Sequence, residues 1–154
     1  MKLVEKTFLN DNEKTQILKI WNNEYPMTLN FSDAVGFDAY LNSLSDTIHY
    51  IIENENNVIL AWGCKFTRDN EKWFAIILDQ KIQGKGKGTE ILNAIKNNEI
   101  KLNAWVIDTE NYKKLDGEMY KSPLPFYLKN SFNLCPEIRI ENEKLSAVKI
   151  TWEK

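Results

Sequence analysis

Apolar Leu3-Val4 and Phe8-Leu9 flank polar Glu5-Lys6-Thr7, and Leu3–Leu9 reads as a first strand. The pattern then changes. Asn10-Asp11-Asn12-Glu13 has the form of a capping box, and Ile17, Leu18 and Trp21 recur at helical spacing behind it. Pro26 ends that helix. A second is predicted after Ser32 as its cap, with Phe37, Tyr40, Leu41 and Leu44 turned to a core. Three runs rich in β-branched and aromatic residues follow, Thr47–Ile52, Val58–Phe66 and Lys72–Leu78, separated by turn-like Glu53–Asn57 and Arg68–Glu71. Such short connections favour an antiparallel meander. A helix from Thr89 to about Asn97 has Ile91, Leu92 and Ile95 on one face. Beyond it are predicted a strand at Leu102–Ile107, a short helix near Phe126–Lys129, and strands near Glu137–Ile140 and Leu145–Trp152. The order β α α β β β α β α β β is that of an α+β chain. It implies a mixed, mostly antiparallel seven-stranded sheet flanked by helices, with at least one helical crossover.

No repeat or Pro/Gly-rich linker divides the 154 residues, so 1–154 is expected to be a single domain. Twenty basic against 22 acidic residues leave a net charge of −2, and only Arg68 and Arg139 are arginines. No basic excess remains for a phosphate backbone, and no nucleic acid is expected as a partner. Cys64, Cys135 and a lone His49 do not form any common metal-ligand pattern, so no metal is expected. The longest apolar run, Trp73–Leu78, is far short of the roughly 20 residues of a membrane span. Charges at Lys2, Glu5 and Lys6 stand where a signal peptide is apolar. The expectation is a soluble, cytoplasmic protein without membrane contact.

Three of the six glycines, Gly84, Gly86 and Gly88, fall within five residues, between a predicted strand and a predicted helix. Alternating glycines let several backbone N–H groups converge at a helix N-terminus, a natural seat for an anion, and Lys85 and Lys87 add positive charge. The plain alternative is a solvated turn with two surface lysines. A Walker A loop is excluded because no Gly-Lys pair is followed by Ser or Thr. A dinucleotide-binding loop is excluded because Thr89 stands where its third glycine belongs.

Gln83-x-x-Gly86-x-Gly88, preceded by Leu78-Asp79, resembles the acetyl-CoA signature of the GNAT superfamily of N-acetyltransferases. A second stretch agrees. Phe126-Tyr127-Leu128-Lys129-Asn130-Ser131-Phe132 is similar to the superfamily's C-terminal Phe-Tyr-x-x-x-Gly-Phe signature, with serine for glycine, one helix and one strand further on. Ser131 thereby falls where a left-handed backbone is common, which implies a strained or altered turn. Tyr112–Pro123 reads as an insertion, either a lid or a solvated excursion.

The resemblance implies a GNAT-like acyltransferase with acetyl-CoA as cosubstrate. Gln83, Gly84, Lys85, Gly86, Lys87, Gly88 and Thr89 would hold the pyrophosphate. The N–H of Leu78 or a neighbour would be the oxyanion donor. Tyr127 carries over as the acid that protonates the departing thiolate, its ordinary pKa within about two units of a thiol's. The acceptor would be a small-molecule amine attacking directly in a ternary complex, near Asn22–Pro26 and Phe31. No general base is legible; Glu24, His49, Glu71 and Asp79 are weak candidates, and Cys64 reads as an inert core thiol. A non-catalytic acetyl-CoA-binding regulatory module and a protein N-acetyltransferase are the competing functions, and a homodimer is left open.

Overall fold

A computed structural model describes all residues, 1–154. Its strands are β1 (Lys2–Lys6), β2 (Ser45–Glu53), β3 (Ile59–Arg68), β4 (Glu71–Leu78), β5 (Lys101–Val106), β6 (Asn133–Glu141) and β7 (Ser146–Glu153). The helices are α1 (Asp11–Glu24), α2 (Ala34–Asn42), α3 (Lys87–Lys96) and α4 (Leu124–Lys129). One seven-stranded sheet runs β1-β2-β3-β4-β5-β7-β6, antiparallel throughout except at β4–β5. The expected fold class and element order therefore stand. No helix is long and apolar enough to cross a membrane.

Local chemistry sets the element ends. Asn10 Oδ1 accepts the Glu13 N–H at 2.8 Å while Glu13 Oε1 accepts the Asn10 N–H at 2.9 Å, a complete capping box. The chain leaves the first strand at Lys6, before the predicted end at Leu9, and Leu9 turns inward to the core under α1. At the second helix the cap is Asp33, not Ser32: its carboxylate accepts the Gly36 N–H at 3.0 Å. Strand β6 is four residues longer at its N-terminal side than predicted. It lies at the sheet edge, mostly exposed, with Pro136 tolerated at a register shift between Cys135 and Arg139.

Two apolar cores lie on opposite faces of the sheet. Ile17 and Trp21 of α1 and Phe37 of α2 pack on Trp62, Phe66 and Trp73. Ile91, Leu92 and Ile95 of α3 and Tyr127 of α4 pack on Phe74, Leu102 and Ile150. Strands β3 and β4 pair along their length, from Ala61–Leu78 to Arg68–Glu71. The parallel pair β4–β5 is different: it meets at one register only, Trp73 opposite Asn103. There Asn103 Nδ2 donates to Glu71 Oε2 at 2.9 Å and Lys101 pairs with Glu71 at 2.8 Å. Past that point the two strands part.

Candidate active site

The gap between β4 and β5 opens into two adjoining spaces. One, of about 530 Å³, is bounded by Ile76–Leu78, by Gln83, Gly84, Gly86, Gly88 and Thr89, and by Lys121, Phe126 and Tyr127. The other, of about 640 Å³, lies among Trp21, Phe31 and Tyr40 of the α1–α2 layer, Trp73 and Trp105 of the parted strands, and Leu145 of the β6–β7 turn. Tyr25, Ile76, Tyr120, Pro123 and Tyr127 line both, so the two spaces meet at these residues. Both volumes fall within the roughly 300–1,000 Å³ usual for small-ligand sites.

The glycine loop is built as the sequence suggests, with a division of labour inside it. Gly84 and Gly86 have φ of +74° and +79°, a left-handed conformation that L side chains rarely adopt. A Cβ on either would meet nothing within 4 Å, so the loop's backbone is open to a ligand from outside. Gly88 is different: its backbone is not left-handed, and a Cβ there would rest at 3.4 Å against the ring of Phe126, an ordinary contact. Gly86 is the N-cap of α3, which begins at Lys87, two residues before the predicted start, so Gly88 and Thr89 lie in its first turn. The first α-helical bond is Glu90 N–H to Gly86 O at 3.1 Å, which leaves the preceding N–H groups for an anion.

The lysines of the loop are placed otherwise than the glycines. Lys87 pairs with Glu90 at 3.1 Å, and neither Lys85 nor Lys87 lines the cleft. Lys121, which the sequence did not single out, does. Gln83 faces the end of β4, where its Nε2 donates to Leu78 O at 3.0 Å.

Strand β4 presents backbone to the gap. Asp79 N–H donates to Leu60 O at 2.8 Å, and the alternation of an antiparallel ladder then places the N–H of Ile77 on β3. The N–H groups of Ile76 and Leu78 consequently turn toward β5, where no ladder receives them. Ile76 is the one that stands where the two spaces meet.

Tyr127 lies two residues before the end of α4, and burial pushes its phenol well above the ordinary value of 10. It stays protonated at any physiological pH. The near match of phenol and thiol expected from ordinary values is thereby widened. Ser131 has φ +72°, the left-handed turn expected at that position, and Phe132 N–H donates to Tyr127 O at 3.1 Å to close the helix.

Residues 112–123 are tied to the rest of the fold at several points, although most of positions 113–121 are exposed. Tyr120 N–H donates to Tyr112 O at 2.7 Å, and Lys113 pairs with Met119, forming a small hairpin. Met27 N–H reaches Lys113 O at 2.9 Å, Lys114 pairs with Glu24 at 3.4 Å, and Ser146 N–H donates to the Tyr112 hydroxyl at 2.8 Å. The segment is thus a strap from the end of α1 to the start of β7, carrying Tyr120 into the junction.

The four weak base candidates have other duties. Glu24 accepts the Gln80 N–H at 2.9 Å besides pairing with Lys114. Asp79 caps the turn at Gln80–Ile82 through Lys81 N–H. Glu71 holds Lys101 and Asn103 at the closed end of the strands. His49 lies in the sheet, where its Nδ1 accepts Trp62 Nε1–H at 3.1 Å and burial pushes its pKa down to about 4. Burial likewise pushes the Cys64 thiol up to about 12, leaving an inert thiol as expected.

Among solved structures, an aminoglycoside 6'-N-acetyltransferase complexed with coenzyme A superposes with a TM-score of 0.73 at 11% identity, covering 99% of this chain and 97% of that one. The GNAT fold is this chain's fold. A spermidine N-acetyltransferase from Vibrio cholerae in complex with CoA and spermine matches at 0.69 and 12% identity, over 98% and 95% of the two chains. A GNAT superfamily phosphinothricin acetyltransferase from Sinorhizobium meliloti in complex with AcCoA matches at 0.66 and 10%, over 99% and 89%. No family model matches this chain, and no curated protein does. The GNAT fold is shared here through backbone geometry, with little sequence in common.

Proposed function

We propose that the protein is an acetyl-CoA-dependent N-acetyltransferase acting on the amine of a small molecule, by direct transfer with both substrates bound. The observation that carries this reading is the meeting of two separate cavities at Ile76 and Tyr127, where β4 and β5 part. A two-substrate reaction without a covalent enzyme intermediate needs such a junction.

Acetyl-CoA suits the 530 Å³ cleft. A pyrophosphate would lie on the N–H groups at Gly84–Thr89, at the positive end of α3, with Lys121 beside it. The unpaired β4 backbone at Ile76 and Leu78 would receive a pantetheine amide. Acetyl-CoA supplies an activated acyl group and a thiolate leaving group. The Ile76 N–H, and beyond it that of Leu78, offer donors to the negative charge that develops on a carbonyl oxygen under attack. Tyr127 would supply the proton for the leaving sulfur; its burial keeps that proton in place beforehand. No carboxylate stands free at the junction, so the acceptor's proton would leave through water.

Two features weigh against the competing readings. The strap carries Tyr120 and Pro123 into the lining of both spaces, which favours a small acceptor over a protein chain. Tyr127 sits at the meeting point, where a module that only bound acetyl-CoA would have no use for an acid. A thiol-release assay with acetyl-CoA and a panel of small amines tests the proposal. Coenzyme A release that needs an amine supports it; tight acetyl-CoA binding with no release for any amine would favour the regulatory module.

A further inference from the structure

The acceptor cavity has an unusual charge pattern for a space meant to receive an amine. Its 23 lining residues include 19 hydrophobic ones, ten of them aromatic, and neither an aspartate nor a glutamate. The only charged lining residues are the cations Arg68 and Lys144. Arg68 ends β3 at its turn into β4, and its guanidinium lies over the rings of Phe66 and Trp73, 5.0 and 5.5 Å from their centroids. Stacked in this way, it is fixed in place while its N–H edges stay free for a planar anion. Trp73 is three residues from Ile76 on β4, a span of about 10 Å along the strand.

A polycation fits this lining poorly. Its second ammonium would be placed among aromatic rings with no counter-charge and with like charges at the outer end. An apolar body between an amine at Ile76 and an anion at Arg68 satisfies every group.

We propose, building on the acetyl-transfer reading, that the acceptor is an amine whose aromatic body separates the reacting nitrogen from a carboxylate, and that Arg68 reads that carboxylate. Arg68 is here a specificity residue, set by its pairing with Glu71 five residues along β4 from Ile76. The chain would therefore prefer a different class of acceptor from the polyamines and aminoglycosides named for its structural neighbours.

Calorimetry with CoA-loaded protein tests this with four probes: 4-(2-aminoethyl)benzoate, phenethylamine, spermidine and kanamycin. The benzoate should bind about tenfold more tightly than phenethylamine, the usual yield of a hydrogen bond to a charged group at a partly wet rim. Spermidine and kanamycin should bind about a hundredfold more weakly than the benzoate. Arg68→Gln should shrink the benzoate's advantage over phenethylamine to within about twofold, the guanidinium being its sole source. The proposal is overturned if spermidine or kanamycin binds as well as the benzoate, if the carboxylate brings no advantage, or if that advantage survives Arg68→Gln. Failure of CoA itself to bind in the preceding titration is a distinct result. It removes the acetyl-transfer reading, and this inference with it.

Discussion

The cleft proposed for the cofactor and the cavity proposed for the acceptor adjoin, yet they are made in opposite ways. The cleft uses main chain: the β4 edge at Ile76 and Leu78, and a loop held left-handed at Gly84 and Gly86. The acceptor cavity uses side chains from both helical layers, the parted strands, the strap and the β6–β7 turn. Backbone recognition demands glycine at fixed positions and so leaves a local signature. Side-chain recognition asks only that the lining be of suitable shape and charge, and scatters its residues over the chain.

The junction is where the two regions are most tightly tied, and its acid should show the largest effect. Tyr127→Phe removes one oxygen and retains the ring packed on Phe74, Phe126 and Phe132. Turnover should fall by about 10²–10⁴-fold. The dissociation constant for acetyl-CoA should stay within about twofold, since a contact made only in the transition state leaves ground-state binding alone. Weakened binding with turnover preserved would make the phenol a packing residue.

Gly86→Val separates the regions from the cofactor side. Its Cβ meets open space, so the penalty comes from forcing a β-branched residue to φ near +79°, about 1–3 kcal/mol. Coenzyme A affinity should drop about 10–100-fold as the loop relaxes away from that backbone. Gly86→Asn should be milder, because asparagine tolerates the left-handed region. Equal losses for both variants would mean that volume, not backbone conformation, matters at this position.

Trp105→Leu approaches from the acceptor side and should have the smallest effect. Trp105 lines the acceptor cavity and not the cofactor cleft, and its ring lies 5.3 Å from that of Trp73. An aromatic pair of this kind is worth about 0.5–1.5 kcal/mol, so KM for the acceptor should rise about two- to tenfold. Coenzyme A affinity should not move. A matching loss of CoA affinity would show that the two spaces are not independent.

The same contrast explains what could be read beforehand. Apolar and β-branched runs bounded by turns mark every strand and helix, down to the mostly exposed edge strand β6. Gln83, Gly86 and Gly88 announced the cleft, and Tyr127 the junction, because their spacing within one segment is itself the constraint. Ile76 carries no signal of its own: its role comes from ladder parity, fixed by Asp79 N–H on Leu60 O at the end of the β3–β4 pairing. Lys121, Tyr120 and Arg68 were invisible for another reason, since only the strap and the parting of β4 from β5 bring them to the site. Charge near a glycine cluster reads as a phosphate contact, and the loop lysines stand beside the cleft lining, not in it. In the fold, Lys87 spends its charge on Glu90. Ser32 and Asp33 are both acceptable caps in sequence, and only the backbone angle chooses between them.

The most direct measurement is thermal unfolding with coenzyme A, NAD and ATP, each at the same concentration. All three carry a pyrophosphate, but only coenzyme A also has a pantetheine arm for the free β4 edge. At a hundredfold excess over its dissociation constant, coenzyme A should add about 2.7 kcal/mol of stability. For a chain of this length that is a rise in Tm of about 5–10 °C. NAD and ATP should leave Tm within a degree or so of the unliganded protein, about 0.3 kcal/mol on the same scale. Equal stabilisation by ATP, or none by coenzyme A, would contradict the assignment of the cleft between Gln83 and Tyr127.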